Sequence, residues 1–308
     1  MTTTPLRPRI REDILARTRK ILRDLGEPEP PLRLDLVREL LKLDLAYYST
    51  ERDGLLASTV SKMKRAGKQL LKRPGLLSYA IQKFSLRALY FPDQKRVLID
   101  DSIPKPKHRW LEAHEIGHDI LPWHHDMMMG DDDSTVTAST HDKIEAEANF
   151  AAGSLLFLGE RFREECRSHD IPTIAKAQKF KKTYGNSLTT TFWRMIENAG
   201  EDRPMLGFVG FHPRSAEAYT STAFRHLILS PAFCRSFPEP DVMRIGDDIR
   251  AYCGWQKKGP LGGNMVILRD REGARHEFTF ETFFNGYDAL TLAVWIKNAP
   301  TIVALSRG

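Results

Sequence analysis

Cysteine is scarce in this chain: Cys166, Cys234 and Cys253 stand far apart, with no C-x-x-C spacing. That excludes a disulfide framework and a cysteine zinc site as organising elements. Apolar runs of about 18 residues are absent, so no membrane-spanning helix and no membrane partner are expected. The opening Met1-Thr2-Thr3-Thr4-Pro5-Leu6-Arg7-Pro8-Arg9 lacks the apolar core of a secretory signal. These absences together point to a reducing, cytoplasmic setting. Neither sign of charge dominates. With 46 Lys and Arg against 40 Asp and Glu, the net charge of +6 permits weak nucleic-acid contact without demanding it. Nothing in the composition speaks to oligomeric state.

A length of 308 residues exceeds what one core usually serves, since a single core stops growing near roughly 250–300 residues. The hydrophobic share of 41% and charged share of 28% are those of an ordinary globular protein. Helical spacing of Ile10, Ile14, Ile21, Leu22 and Leu25 predicts a helix over Arg9–Leu25, stopped by Gly26. A proline-rich connector leads to a second helix, Leu34–Leu43, with Leu36, Val37, Leu40 and Leu41 expected to face inward. Leu45–Tyr48 reads as a strand. Leu86–Phe91 and Arg96–Ile99, joined through Pro92 and Asp93, read as a β-hairpin. Between them lies an acid-free basic run, Ser61–Arg73, whose plainest reading is a solvated stretch rather than a phosphate-binding patch.

The chemistry is concentrated in His114-Glu115-Ile116-Gly117-His118. On a helix, positions i and i+4 share a face, so His114 and His118 can offer both imidazoles to one metal ion, zinc by preference. Glu115 is then placed as the general base. A catalytic zinc needs a third protein ligand, and the helix predicted over His141–Leu158 supplies candidates. Glu145 and Asn149 lie on one face of it, so Glu145 is the preferred ligand, with Asn149 orienting a histidine ring from behind. Glu147, about 160° around the helix from Asn149, is the substitute third ligand. The pair His124-His125, beyond the helix-breaking Pro122, reads as cleft lining or a helix-end cap. Met127-Met128-Met129 reads as flexible apolar packing.

These two segments resemble the ImmA/IrrE metallopeptidases of bacteria and their mobile elements. Arg109-Trp110-Leu111-Glu112-Ala113-His114-Glu115-Ile116-Gly117-His118 is similar to that family's R-x-x-x-A-H-E-x-G-H. The run from Glu145 through Ala146, Glu147, Ala148 and Asn149 to Leu155-Leu156 is similar to its E-x-E-A-N-x-F-A-x-x-L-L. Pro30-Pro31 before a leucine-rich helix also looks like the family's opening. The likeness covers roughly residues 30–160. It departs at Phe157-Leu158-Gly159, where the family has a proline, and at Ser61–Arg73, which looks inserted. The resemblance implies a zincin-like fold and a zinc-dependent endopeptidase. It also implies a protein substrate, a helix-turn-helix repressor, whose cleavage relieves repression in a stress response or mobile-element switch.

Beyond the motifs, Ile171–Lys182 and Ser187–Asn198 read as two helices across a turn, with Ser187 as N-cap. The pair resembles a helix-turn-helix with Lys179, Lys181, Lys182 and Arg194 available for phosphates. Its second helix is poor in base-reading side chains, which favours simple packing. From Met205 onward the texture becomes strand-like. His212, His226 and His276 are dispersed and read as core or surface residues, and Cys253 and Trp255 as core. The expected fold is therefore α+β in three parts. Residues 1–165 form a mainly helical zincin-like domain with a small β-hairpin, 166–203 a helix-turn-helix-like pair, and 204–308 a β-rich, GAF-like sensor domain. The rival reading from another class is a DNA-binding regulator with a vestigial or structural metal site.

Overall fold

The computed structural model describes residues 6–48, 88–91, 94–124, 138–167, 170–219 and 224–299. The basic run at 61–73, His125 and the methionine run lie outside the described residues. The protein is α+β, and its contacts divide it into two compact units, Thr3–Gly159 and Glu160–Gly308, the second including Met1–Thr2. The segment 166–203 falls inside the second unit.

In the first unit, α1 (Pro8–Asp24) begins with proline in its first turn, where a missing N–H costs nothing, and buries Ile14, Thr18, Ile21 and Leu22. Helix α2 (Leu34–Leu41) ends two residues earlier than expected because Lys42 enters the left-handed region at φ 56. It buries Leu34 and Val37. Leu36 and Leu40 do not face inward: they are 37% and 40% exposed, being i and i+4 on the opposite stripe.

Strands β1 (Asp44–Tyr48), β2 (Ala88–Phe91) and β3 (Arg96–Asp100) form a sheet in the order β1-β3-β2. The predicted hairpin is present, with β2 antiparallel to β3, while β1 joins the other edge of β3 in parallel. Val97, Leu98 and Ile99 are buried, as befits a central strand. Helix α3 (Lys105–Asp119) follows at once, and α4 (Ala138–Leu156) packs against it and against α1. Both helices carry small or fully buried side chains, Ala113 and Ile116 on α3 and Ala148, Ala151, Ala152 and Leu155 on α4. Burying a side chain the size of Ile116 contributes about 1.5–3 kcal/mol, so this burial is a principal support of the unit.

The second unit opens with α5 (Glu160–Cys166), α6 (Ile174–Tyr184) and α7 (Leu188–Ala199). Thr173 and Ser187 cap α6 and α7 by accepting from Lys176 N and Thr190 N, and Gly185 closes α6 at φ 66. Phe162 lies edge-on to Phe180 and Tyr184, each with centroids 5.0 Å away, and this cluster ties α5 to α6.

Five antiparallel strands follow in the order β5-β4-β8-β7-β6: β4 (Met205–Gly210), β5 (Phe224–Leu229), β6 (Gly259–Arg269), β7 (Arg275–Phe284) and β8 (Ala289–Asn298). Alternation on β4 sends Leu206 and Phe208 into a core with Phe233 of α8 (Pro231–Ser236) and with Ile245 and Ile249 of α9 (Val242–Tyr252). Gly207 points the other way, beneath Phe192 and Ile196 of α7; a β-carbon there would stand 2.3 Å from Ile196 Cδ1. No residue of α7 is exposed. Its Thr189, Thr190, Trp193, Arg194, Glu197, Asn198 and Ala199 are half-buried and its other residues are buried.

Candidate metal centre

Two helices make the site, and one glycine sets how near they come. A β-carbon on Gly117 would sit 2.7 Å from the carbonyl oxygen of Ala148, so only glycine lets α3 reach α4 here. That approach brings the three sequence-predicted ligands together. His114 Nε2 and His118 Nε2 are 3.2 Å apart. Glu145 places Oε2 3.1 Å from His114 Nε2 and Oε1 3.6 Å from His118 Nε2.

Ligand atoms about 2.1 Å from a tetrahedral ion are separated by roughly 3.4 Å, so the donor set fits zinc in both chemistry and spacing. Glu145 is 39% exposed, which leaves an approach to the site, while the side chains of His114 and His118 are 12% and 5% exposed. Among the described residues this is the one group of three or more such side chains with ligand spacing.

Each histidine is held from behind. His114 Nδ1 lies 3.1 Å from Asn149 Oδ1, the orienting contact the i, i+4 spacing predicts. His118 Nδ1 lies 3.0 Å from His124 Nδ1, and His124 Nε2 is 3.0 Å from Glu147 Oε2. Trp123 Nε1 donates to the same carboxylate oxygen at 2.7 Å. The structure thus places Glu147 with Trp123 and His124, apart from the three-donor group. The substitute ligand of the sequence reading has another partner. His124 is fully buried and lines no cleft. Sequence reasoning missed it because its link to His118 depends on the chain turning back after Pro122. Glu147, two residues from the preferred ligand and itself read as the substitute ligand, was the only hint.

Glu115 points away from water at 6% exposure. Burial pushes its carboxyl up to about 7; the His114 charge opposes this and Glu145 adds to it. Burial likewise pulls His118 down to about 4, the carboxylate of Glu145 recovering only part. His114 is buried too, yet its bonds and attraction to Glu145, Glu115 and Asn149 prevail and raise it above 6.5. Burial would raise Glu145, but hydrogen bonds to both histidines hold it far below the usual carboxylate range. Glu147 is lowered in the same way, His124 and Trp123 outweighing desolvation. The group is therefore a compact set of donors, with a buried carboxyl next to His114 in sequence whose charged form is disfavoured.

The ligand helix is itself pinned. Buried Asp119, next to His118, accepts from Tyr90 and from Lys95 Nζ at 2.7 Å, tying the end of α3 to the hairpin. Arg38 Nε bonds Glu112 Oε1 at 2.6 Å and ties α2 to its middle.

In the second unit the dispersed histidines have structural partners. His276 Nε2 is 2.8 Å from Asp270, and Trp295 donates to its Nδ1. His226 stacks edge-on with Trp193, and His212 reaches the Gln256 carbonyl. Cys253 is buried in the sheet core as expected. Trp255 is not: it is 74% exposed, with the Arg214 guanidinium over its ring.

No family model matches the sequence, and no curated protein matches it. Among solved structures, a chain described as a Mycobacterium tuberculosis transcriptional regulator is similar to it. The two share 10% identity at a TM-score of 0.51, over 92% of this chain and 88% of that one. That likeness concerns the fold alone.

Proposed function

We propose that the protein is a zinc-dependent endopeptidase, with His114, His118 and Glu145 as metal ligands and Glu115 as general base. The observation that carries this reading is the convergence of three donor atoms, all within 4.8 Å of one another, beside a buried carboxyl. Zinc held by such a set supplies Lewis-acid polarisation of a carbonyl and acidifies a water. Glu115, with its carboxyl near neutrality, accepts a proton from the attacking water and returns it to the leaving amine. The low proton affinity of His118 keeps its ring neutral and its lone pair available. Glu145 stays ionised and supplies the negative charge.

The substrate follows from the resemblance to the ImmA/IrrE family: a helix-turn-helix repressor, cut to relieve repression. The same resemblance makes the first unit zincin-like. It makes the second, with helices packed on its antiparallel sheet, a GAF-like sensor. One observation favours a second reading. The similar solved structure carries the name of a transcriptional regulator, which agrees with a DNA-binding regulator whose metal site is structural or vestigial.

Purified protein assayed for metal, then incubated with a helix-turn-helix repressor encoded beside it, separates the two. On the peptidase reading zinc is stoichiometric, a chelator stops cleavage, and Glu115→Gln keeps the metal while activity falls at least a hundredfold. Salt-dependent DNA binding that survives Glu115→Gln, with no cleavage, would support the regulator instead.

A further inference from the structure

The two histidines of the site are backed by different chemistry. Behind His114 stands a neutral amide, Asn149. Behind His118 stands a second imidazole, and behind that a carboxylate. We infer that His124 and Glu147 are positioning residues that lock His118 in the tautomer with a free Nε2 lone pair and strengthen it as a donor. This makes His118 the dominant histidine anchor of the metal. The inference rests on the zinc reading of His114, His118 and Glu145.

With a single ring proton on His124, the contacts allow one arrangement of donors and acceptors. The carboxylate of Glu147 only accepts, so His124 must donate from Nε2. A neutral His124 then has a bare Nδ1, which accepts. The 3.0 Å contact between the two Nδ1 atoms therefore carries the proton of His118. With Nδ1–H of His118 committed, Nε2 is the nitrogen left to a metal, its lone pair freed once the proton it shares with Glu145 is displaced, and Nε2 is the atom that faces His114 and Glu145. Asn149 Oδ1 likewise accepts from His114 Nδ1 and fixes the same tautomer, but it brings no charge. A carboxylate acting through an imidazole draws the proton of His118 towards itself and raises the basicity of the metal-facing nitrogen.

The surroundings hold this chain in place. His124 is fully buried, so nothing but its two bonds satisfies its ring, and leaving either unmade would be costly. Trp123 supplies Glu147 with a second donor and is itself covered by the Arg17 guanidinium, 5.3 Å from its ring. Arg17 Nη1 also reaches the Ile120 carbonyl, which fastens the end of α3 where the turn begins.

The test is a zinc competition titration against a chromophoric chelator, paired with a tautomer measurement. Wild type, Glu147→Gln, Glu147→Leu, His124→Phe and Asn149→Leu are compared. Glu147→Leu and His124→Phe should each weaken zinc by roughly 10–100-fold. Glu147→Gln, which still accepts but carries no charge, and Asn149→Leu should each lose less than Glu147→Leu. Cobalt-loaded Glu147→Leu should show shifted visible absorption bands, which a change in stability alone would not produce. In zinc-loaded wild type, long-range nitrogen–proton NMR should find His118 protonated on Nδ1. This last measurement needs no variant, so it decides even where His124→Phe does not fold. Zinc affinity within about twofold of wild type in Glu147→Leu, with unshifted cobalt bands, would overturn the inference and leave the metal site standing. So would a His118 protonated on Nε2. Wild-type protein that takes up no zinc, or His114→Ala that keeps it, would instead remove the metal site itself and this inference with it.

Discussion

Gly117 and Ala148 face each other so closely that the space between α3 and α4 has no room for a methyl group on the glycine. The contact is with backbone, the carbonyl oxygen of Ala148, which cannot swing aside as a side chain can. The fourth residue of the histidine motif is thus as constrained as the histidines. Gly117→Ala should push the helices apart, lowering stability by about 1–3 kcal/mol and weakening zinc binding at least tenfold. Urea denaturation and the chelator titration would check both. Unchanged values for both would mean that the helices do not need this separation.

Zinc uptake should expel protons at mildly acidic pH. His114 titrates above 6.5 and Glu115 near 7, so at pH 6 both hold protons that the metal displaces. Calorimetry at pH 6 in two buffers of different ionisation enthalpy should report between about one and two protons released. Release of less than about half a proton at pH 6 would contradict the assignment of both groups.

In metal-free protein, two opposing pH effects should be separable. His118 has a folded value of about 4, below its unfolded 6.5, so the unfolded chain takes the proton first. Its contribution is complete above 6.5 and is lost as pH falls to 4. Glu115 runs the other way. Its folded value of about 7 lies above its unfolded 4.5, so its contribution is complete below 4.5 and is lost as pH rises to 7. Each amounts to on the order of 3 kcal/mol and the two largely cancel in wild type. Glu115→Gln should therefore gain stability from pH 4.5 to 6.5, and His118→Gln should lose it. Urea midpoints of apoprotein at both values would show the opposite slopes; parallel slopes would refute the assignment.

Helix α7 is poor in base-reading side chains, and its Arg194 is paired with Glu197 at 3.0 Å. Replacing Lys179, Lys181 and Lys182 together with alanine should leave discrimination between DNA sequences unchanged. Any binding that remains should fall uniformly with salt. Fluorescence anisotropy with several duplexes tests this, and loss of preference for one sequence would restore a recognition role to the pair.

Much of the site was legible because helical spacing is a local rule. His114 with His118, and Glu145 with Asn149, are each i and i+4, so periodicity alone put each pair on one face. His124 and Glu147 obey no such rule. They meet because the turn after Pro122 delivers an imidazole to the flank of another helix, and only the folded chain shows that. Leu36 and Leu40 misled because a leucine-rich stretch reads as apolar all round, whereas α2 buries only the Leu34 and Val37 side. The helices of 166–203 were legible down to the Ser187 cap. Their membership of the sheet unit was not, since it depends on Gly207 leaving space for Phe192 and Ile196.

The parallel pairing of β1 with β3 carries a consequence for the order of assembly. Asp44 pairs with Arg96, 52 positions further on (96 − 44), whereas β2 and β3 pair across a short hairpin. Closing the longer loop costs more chain entropy and contributes to slower folding. Sequence separation therefore favours forming the hairpin first and adding β1 late, beside a β3 already fixed by β2. Lys95 and Tyr90, which secure Asp119 at the end of α3, belong to that early hairpin. The scaffold of the site can thus be in place before the sheet beneath it is complete.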